Sequence, residues 1–267
     1  LLSPTGSGKT LAFLFPVVRD LQPDYSGVQT LILVPARELA LQVEQVFKKM
    51  GTDFKVNVCY GGHDKKIEIN NFIQPPSVLI GTPGRVAYHI KNNNFDPTKV
   101  QTLVLDEFDK ALELGFEEDM DYIISSLDQL QQRILTSATA MDSIPKFVGL
   151  KDEKTLSFLK TQEIKPDIQL KKVMTTPEEK LETLFHLVCK IGEKRTLVFC
   201  NHRDAVDRIS ELLRDRRIDC VTFHGGMEQD ERERAILKFK NESCRILVTT
   251  DLASRGLDIP EVQSIVH

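Results

Sequence analysis

The stretch Thr5-Gly6-Ser7-Gly8-Lys9-Thr10 has the composition of a phosphate cradle. Backbone N–H groups of the Gly6-Ser7-Gly8 turn can converge on an anion. Lys9 brings a positive charge to the outer phosphates, and the Thr10 hydroxyl suits a magnesium ion. The apolar helix expected from "KTLAFLFPVVRDL" points its positive end at the same place. Where the strict pattern has glycine, this chain has Ser3. The alternative is a Gly/Ser surface turn, and Gly-Lys-Thr directly before an apolar helix argues against it. A second constellation is Asp106-Glu107, at the end of the apolar run "TLVLD". Carboxylates at the carboxyl end of a strand reach the phosphate crevice of an α/β sheet. There Asp106 suits Mg²⁺, and Glu107 suits positioning or deprotonating a water. A solvated acidic turn is the alternative, and the phosphate cradle upstream weakens it.

These residues need elements to hold them. "TLILV" (30–34), "SVLIG" (77–81), "TLVLD" (102–106) and "RILTS" (133–137) read as buried strands. They are continuously apolar, as parallel strands covered on both faces should be. Between them, "ELALQVEQVFKKM" puts Val43, Val46, Phe47 and Met50 on one helix face. The second half repeats the theme. Strands are predicted at 195–200, 218–224 and 244–250, helices at 203–216 and 228–240, and a last strand in "VQSIVH". Alternating strands and helices imply parallel α/β sheets. The charged stretch with Pro166 and Pro177 reads in part as a linker. The expected organisation is therefore a first domain over 1–155, a linker over 156–175 and a second domain over 176–267. Only "LL" precedes the cradle, and no helix follows the last strand. The chain is accordingly expected to be a segment of a longer protein, cut through its first strand and its second domain.

The bulk numbers narrow the class. At 267 residues, 41% hydrophobic and 28% charged, the chain can build two soluble cores. No apolar run reaches a membrane span, and no secretory signal is visible. Five cysteines without a C-x-x-C pair point to a reducing compartment, expected to be cytoplasmic, and to no metal cage. Cys59, Cys200 and Cys244 fall in or beside strand-like runs and read as small core residues. A net charge of −4 counts mildly against a nucleic-acid binder, but a local basic groove suffices to hold a phosphate backbone. Nothing demands an obligate oligomer.

Taken together, "SPTGSGKT", "PARELA", Gly61-Gly62, "TPGR", "DEFD", "SAT", "HGGMEQDERERA" and "TTDLASRGLDIP" resemble the ordered motifs of the DEAD-box RNA helicases, along the whole chain. The resemblance implies two RecA-like parallel-sheet domains of the P-loop NTPase type, the second incomplete. They would close on ATP, Mg²⁺ and single-stranded or short duplex RNA. It implies ATP contacts from Thr5, Gly6, Ser7, Gly8, Lys9 and Thr10, and from Asp258 to the ribose. Metal contacts would come from Thr10 and Asp106, and catalysis from Lys9, Asp106 and Glu107. Ser137 and Thr139 resemble the pair that couples hydrolysis to strand separation. Arg37, Gly62, Thr82, Pro83, Gly84 and Arg85 resemble RNA contacts on the first domain. Gln229, Arg232, Thr249 and Thr250 resemble those on the second. Glycines and small hydroxyls at strand-to-helix turns suit phosphates rather than base edges. With 7% aromatics and no tryptophan, base stacking is expected to be minor, and so is sequence specificity.

Four departures qualify the resemblance. Phe108 stands where the family has the alanine of D-E-A-D, and its ring must find room. Ala36 replaces the usual threonine of P-T-R-E-L-A. The adenine-reading glutamine motif is not in these residues, so base selectivity is not argued from them. The H-R-x-G-R motif with its arginine finger is also not among them, and His267 does not match it. The 267 residues alone are therefore expected to bind nucleotide weakly and hydrolyse it slowly. Two rivals stay open: a DNA-directed helicase of the same superfamily, and a non-catalytic RNA clamp latched by ATP. A generic P-loop ATPase acting on protein leaves the motifs of the second half unexplained.

Overall fold

A computed structural model describes residues 1–4, 6–62, 64–141, 143–159, 168–250 and 262–267. The chain divides into two compact units, Leu1–Pro166 and Asp167–His267.

The first unit is built on a five-stranded parallel sheet. Its strands are β1 (Thr30–Leu33), β2 (Val56–Cys59), β3 (Val78–Gly81), β4 (Thr102–Leu105) and β5 (Gln132–Leu135), in spatial order β2-β3-β1-β4-β5. The three central strands are buried at every position, which is why their sequences are apolar without alternation. Successive residues still point to opposite faces. Leu31, Leu33, Leu79, Leu103 and Leu105 pack beneath α4 (Pro83–Lys91), α5 (Phe108–Glu113) and α6 (Glu117–Ser125). Ile32, Val34, Val78, Ile80 and Val104 pack beneath α1 (Lys9–Asp20) and α2 (Arg37–Lys49). The remaining helix of this unit is α3 (Lys65–Asn71). The predicted strands at 30–34, 77–81, 102–106 and 133–137 are all present, the first three trimmed by one residue and the last shifted to 132–135. β2 has no counterpart among the predicted strands. Its Val-Asn-Val-Cys alternates because it lies at the sheet edge and is mostly half-buried.

The segment feeding the cradle is held by main-chain bonds. Leu2 bridges both Ser137 and Ser157 in the parallel sense. Ser3 N–H donates to the Ser137 carbonyl at 3.1 Å, and Ser137 N–H donates to the Leu1 carbonyl at 3.1 Å. Phe158 N–H donates to the Leu2 carbonyl at 2.8 Å. The stem of the phosphate loop therefore continues the sheet beyond β5.

The second unit carries four parallel strands in the order β7-β8-β6-β9: β6 (Thr196–Phe199), β7 (Val221–Phe223), β8 (Ile246–Thr249) and β9 (Ser264–Val266). Three helices, α7 (Lys180–Ile191), α8 (Arg203–Asp215) and α9 (Gln229–Lys240), accompany them. α9 covers Leu197, Val221, Phe223 and Leu247, while α7 and α8 cover Val198, Ile246 and Val248. Each unit is thus a parallel sheet between two apolar layers. No helix among the described residues is long and apolar enough to cross a membrane.

Candidate active site and nucleic-acid interface

In a parallel sheet every strand ends at the same edge, and the predicted site residues of the first unit follow those ends. The β4–β5 side carries Asp106, Glu107, Ser137 and Thr139, with the phosphate loop tied to Ser137. The β1, β3 and β2 ends carry Arg37, Thr82–Arg85 and Gly62 respectively.

Gly6 and Gly8 have φ of 76° and 88°, left-handed values that disfavour a side chain and bend the loop into α1. Gly8 is the N-cap of α1, and Lys9 is its first residue. The Lys9 ammonium donates to the carbonyls of Ser3 at 2.6 Å and Pro4 at 3.1 Å, closing the loop on itself. Phosphate oxygens are stronger acceptors than these carbonyls, so an incoming phosphate can displace them. Thr10 follows on α1. Thr5 and Asp258, expected to touch nucleotide, lie outside the described residues.

Asp106 is buried at 5% exposure, one residue beyond β4. Its Oδ1 accepts from the Thr136 hydroxyl and, at 3.2 Å, from the Glu107 N–H. Burial pushes its carboxyl above the usual range. The Thr136 bond, the Lys9 charge and the Glu107 N–H oppose this, and Asp109 adds to it. Glu107 is raised as well, first by burial and then by the Asp106 charge, with Lys9 again opposing. Glu107 has φ 48° and ψ 49°, a left-handed conformation that costs a non-glycine residue about 1 kcal/mol or more. This turn separates the end of β4 from α5 and sends successive side chains in different directions.

Phe108 finds its room as the first residue of α5, 1% exposed, in the cluster with Ala111 and Met120 and facing Phe147 at 6.5 Å between ring centroids. Asp109 accepts from the Thr139 hydroxyl at 2.7 Å. The Ser137 hydroxyl donates to the Thr139 carbonyl at 2.6 Å and accepts from its N–H at 3.1 Å. The structure thereby joins the "DEFD" and "SAT" segments through Asp106–Thr136 and Asp109–Thr139. Thr136 was not among the candidates of the sequence reading. Its signal is positional: Leu105 pairs with Leu135, so Asp106 and Thr136 are the next residues on adjacent parallel strands.

On the β1–β3–β2 side, Arg37 opens α2 and lies over the Tyr60 ring at 4.4 Å. Gly62 turns at φ 82°. Thr82 is the N-cap of α4, Pro83 its buried first residue, and Arg85 N–H donates to the Thr82 carbonyl at 3.0 Å. A Cβ on Gly84 would lie 3.2 Å from Asp119 Oδ2. The Arg85 side chain is only 9% exposed, paired with Glu68 at 2.7 Å.

In the second unit, Gln229 is the first residue of α9 and accepts from the Arg232 guanidinium at 3.0 Å. Arg232 also lies 5.4 Å from the Phe223 ring centroid. Thr249 is fully buried, its hydroxyl donating to the Thr250 carbonyl at 3.0 Å. Thr250 is half-buried. His224 precedes the loop into α9. Its Nδ1 accepts from the Gly226 N–H at 3.1 Å, so Nε2 carries the proton it gives to Asp207 at 3.0 Å.

The chain resembles known proteins along its length. The DEAD/DEAH box helicase family matches residues 1–147, and the helicase conserved C-terminal domain matches residues 179–267. "ATP-dependent RNA helicase CshA" of Limosilactobacillus reuteri is 36% identical, over 98% of this chain and 53% of its own length. "DEAD-box ATP-dependent RNA helicase CshA" of Geobacillus kaustophilus is 36% identical, over 98% of this chain and 57% of its own length. The chain thus spans about half of these relatives. Among solved structures, S. cerevisiae Dbp5 bound to RNA and ADP BeF3 superposes with a TM-score of 0.78 at 24% identity, over 99% of this chain and 68% of that one. A DEAD box protein from Methanococcus jannaschii gives a TM-score of 0.53 at 29% identity, over 99% of this chain and 72% of that one. Both units are accordingly RecA-like, and with its "DEFD" strand end and ordered motifs the chain belongs to the DEAD-box helicase family.

Proposed function

We propose that this chain is the ATP-dependent motor of an RNA helicase, using ATP and Mg²⁺ to bind and release RNA along its phosphate backbone. One observation carries the reading. The Asp106–Asp109 turn is bonded to Thr136 and Thr139, and the stem of the phosphate loop is tied to Ser137 between them. A change at the phosphates therefore reaches the "SAT" segment through two hydrogen bonds. The names of the relatives support RNA as the substrate.

The residues fit a divalent ion. A cation held mainly by nucleotide phosphates needs only one or two protein oxygens. The Glu107 N–H and the Thr136 hydroxyl both bond to Asp106 at Oδ1, which leaves Oδ2 for the metal, and Thr10 on α1 would supply a second oxygen. Bound there, Mg²⁺ would offset charge on the phosphates. Lys9 would exchange its two carbonyl partners for phosphate oxygens. Glu107 would hold the attacking water and accept its proton, a role its raised pKa suits. Arg37, Gly62 and Thr82–Arg85 would hold the RNA backbone on the first unit. Gln229, Arg232 and Thr250 would do so on the second, together with the main chain at Thr249.

Steady-state ATP hydrolysis by the protein carrying this chain tests the reading, with no nucleic acid, single-stranded RNA or single-stranded DNA of equal length at one salt concentration. Stimulation by RNA is expected. Equal or greater stimulation by DNA selects the DNA-directed rival. ATP binding without stimulation by either selects the clamp. Glu107→Gln is expected to keep ATP binding and lower turnover by at least about 100-fold, as loss of a general base does. Retained turnover would show that another group handles the water.

A further inference from the structure

Among the described residues, the most deeply buried carboxylate outside the nucleotide site is Glu68 of α3, 1% exposed. It joins two of the segments proposed to hold RNA, the end of β2 and α4. Its Oε1 accepts from the Tyr60 N–H at 3.1 Å, at the end of β2 and one residue before Gly61-Gly62. Its Oε2 lies 2.7 Å from His89 Nε2 and 2.7 Å from Arg85 Nε, both on α4. His89 is fully buried, and its Nδ1 faces the Asn94 amide nitrogen at 2.8 Å. An amide nitrogen only donates, so Nδ1 accepts and the proton sits on Nε2, aimed at Glu68. The Phe72 ring closes the site edge-on to His89 at 5.0 Å. Arg85 balances the Glu68 charge. The Tyr60 ring, whose main chain Glu68 holds, in turn carries the Arg37 guanidinium at 4.4 Å.

We propose that Glu68 is the positioning residue of the nucleic-acid face. It holds the Arg85 guanidinium by Nε, the nitrogen nearest the chain, and fixes the Tyr60 end of β2 on which Arg37 rests. The proposal rests on the RNA reading above. A long arginine side chain loses rotamer freedom when it binds phosphate, and a carboxylate that fixes it beforehand removes that loss from the binding step. Glu68 would thus raise RNA affinity without touching RNA.

The test is a double-mutant cycle in the protein carrying this chain, using a labelled single-stranded RNA at fixed salt with a non-hydrolysable ATP analogue. Glu68→Gln keeps one acceptor oxygen, enough for the Tyr60 N–H, and turns an NH2 donor toward His89 and Arg85, so the charge that holds Arg85 is gone. It is expected to weaken RNA binding by about tenfold. In an Arg85→Ala background it is expected to add at most about twofold, because the coupled residue is already gone. A merely structural role would lower the melting temperature and weaken binding equally in both backgrounds, which overturns the proposal. Unchanged or tighter binding by Glu68→Gln overturns it too, since a carboxylate that shields Arg85 would be relieved by the amide. If Glu68→Gln does not fold, Glu68→Asp replaces it. That variant keeps the charge, shortens the reach by one methylene and is expected to show the same loss of coupling. Failure of the unmodified protein to bind RNA would overturn the RNA reading itself, a result separable from every outcome above.

Discussion

Asp106 illustrates a residue kept at the expense of stability. Its carboxyl is raised chiefly by burial, so the folded chain holds that proton to higher pH than the unfolded chain does. The folded state therefore has its full advantage below the ordinary carboxylate range and loses it as pH rises through the raised value. Glu107 acts in the same direction. Asp106→Asn keeps an oxygen for Thr136 and the Glu107 N–H but has no charge to desolvate. It is expected to stabilise the first unit by about 1 kcal/mol at neutral pH, roughly 2–4 °C in melting temperature, and to flatten the pH dependence. Melting temperatures from pH 4 to 8 check this, and a variant less stable than the parent at pH 7 contradicts it. The carboxylate's partners show where sequence reading stops. Asp106 was legible because it ends an apolar strand downstream of a phosphate loop. Thr136 was not, because it is 30 residues away and meets Asp106 only through strand register. Glu68 and His89, 21 residues apart, were likewise invisible, since nothing local says that α3 folds under α4.

Elements were legible in proportion to their burial. β1, β3 and β4 are continuous apolar runs because both faces are covered, and they were read directly. The edge strand β2 and the short helices α5 and α6 carry mixed patterns that no single period describes. The junction of β3 with α4 shows how tightly such elements meet. A Cβ on Gly81 would lie 2.6 Å from Val86 Cγ2, 2.7 Å from Cys59 Sγ and 2.8 Å from the Cys59 carbonyl oxygen. That carbonyl already accepts the Thr82 N–H at 3.1 Å, so it is not free to retreat. Gly81→Ala is expected to cost about 2 kcal/mol, measured by denaturant titration. Adding Cys59→Ala removes only the sulfur contact, and full recovery in the double variant would show that the backbone does give way.

At the scale of the molecule, each unit has its own pair of apolar layers, and each layer is drawn from one unit alone. Two thermal transitions are therefore expected. Phe108 separates them experimentally. Phe108 stands where the family motif has alanine, which invites the view that Phe108→Ala would be harmless. The ring is 1% exposed in the core of the first unit, so its removal leaves a cavity worth about 3–5 kcal/mol. Calorimetry is expected to show one transition lowered and the other unmoved. A shift of both would mean that the units unfold as one.

The stem of the phosphate loop has a consequence for genetics. Leu1, Leu2 and Ser3 are joined to Ser137 by main-chain donors and acceptors alone. Substituting a side chain there leaves those bonds in place, so an alanine scan is blind to the route by which the loop and the "SAT" segment share their backbone. An amide-to-ester exchange at Ser137, which removes the N–H donor and keeps the hydroxyl that bonds Thr139, would reveal it. Mutational drift can erase the identity of these positions while the wiring survives.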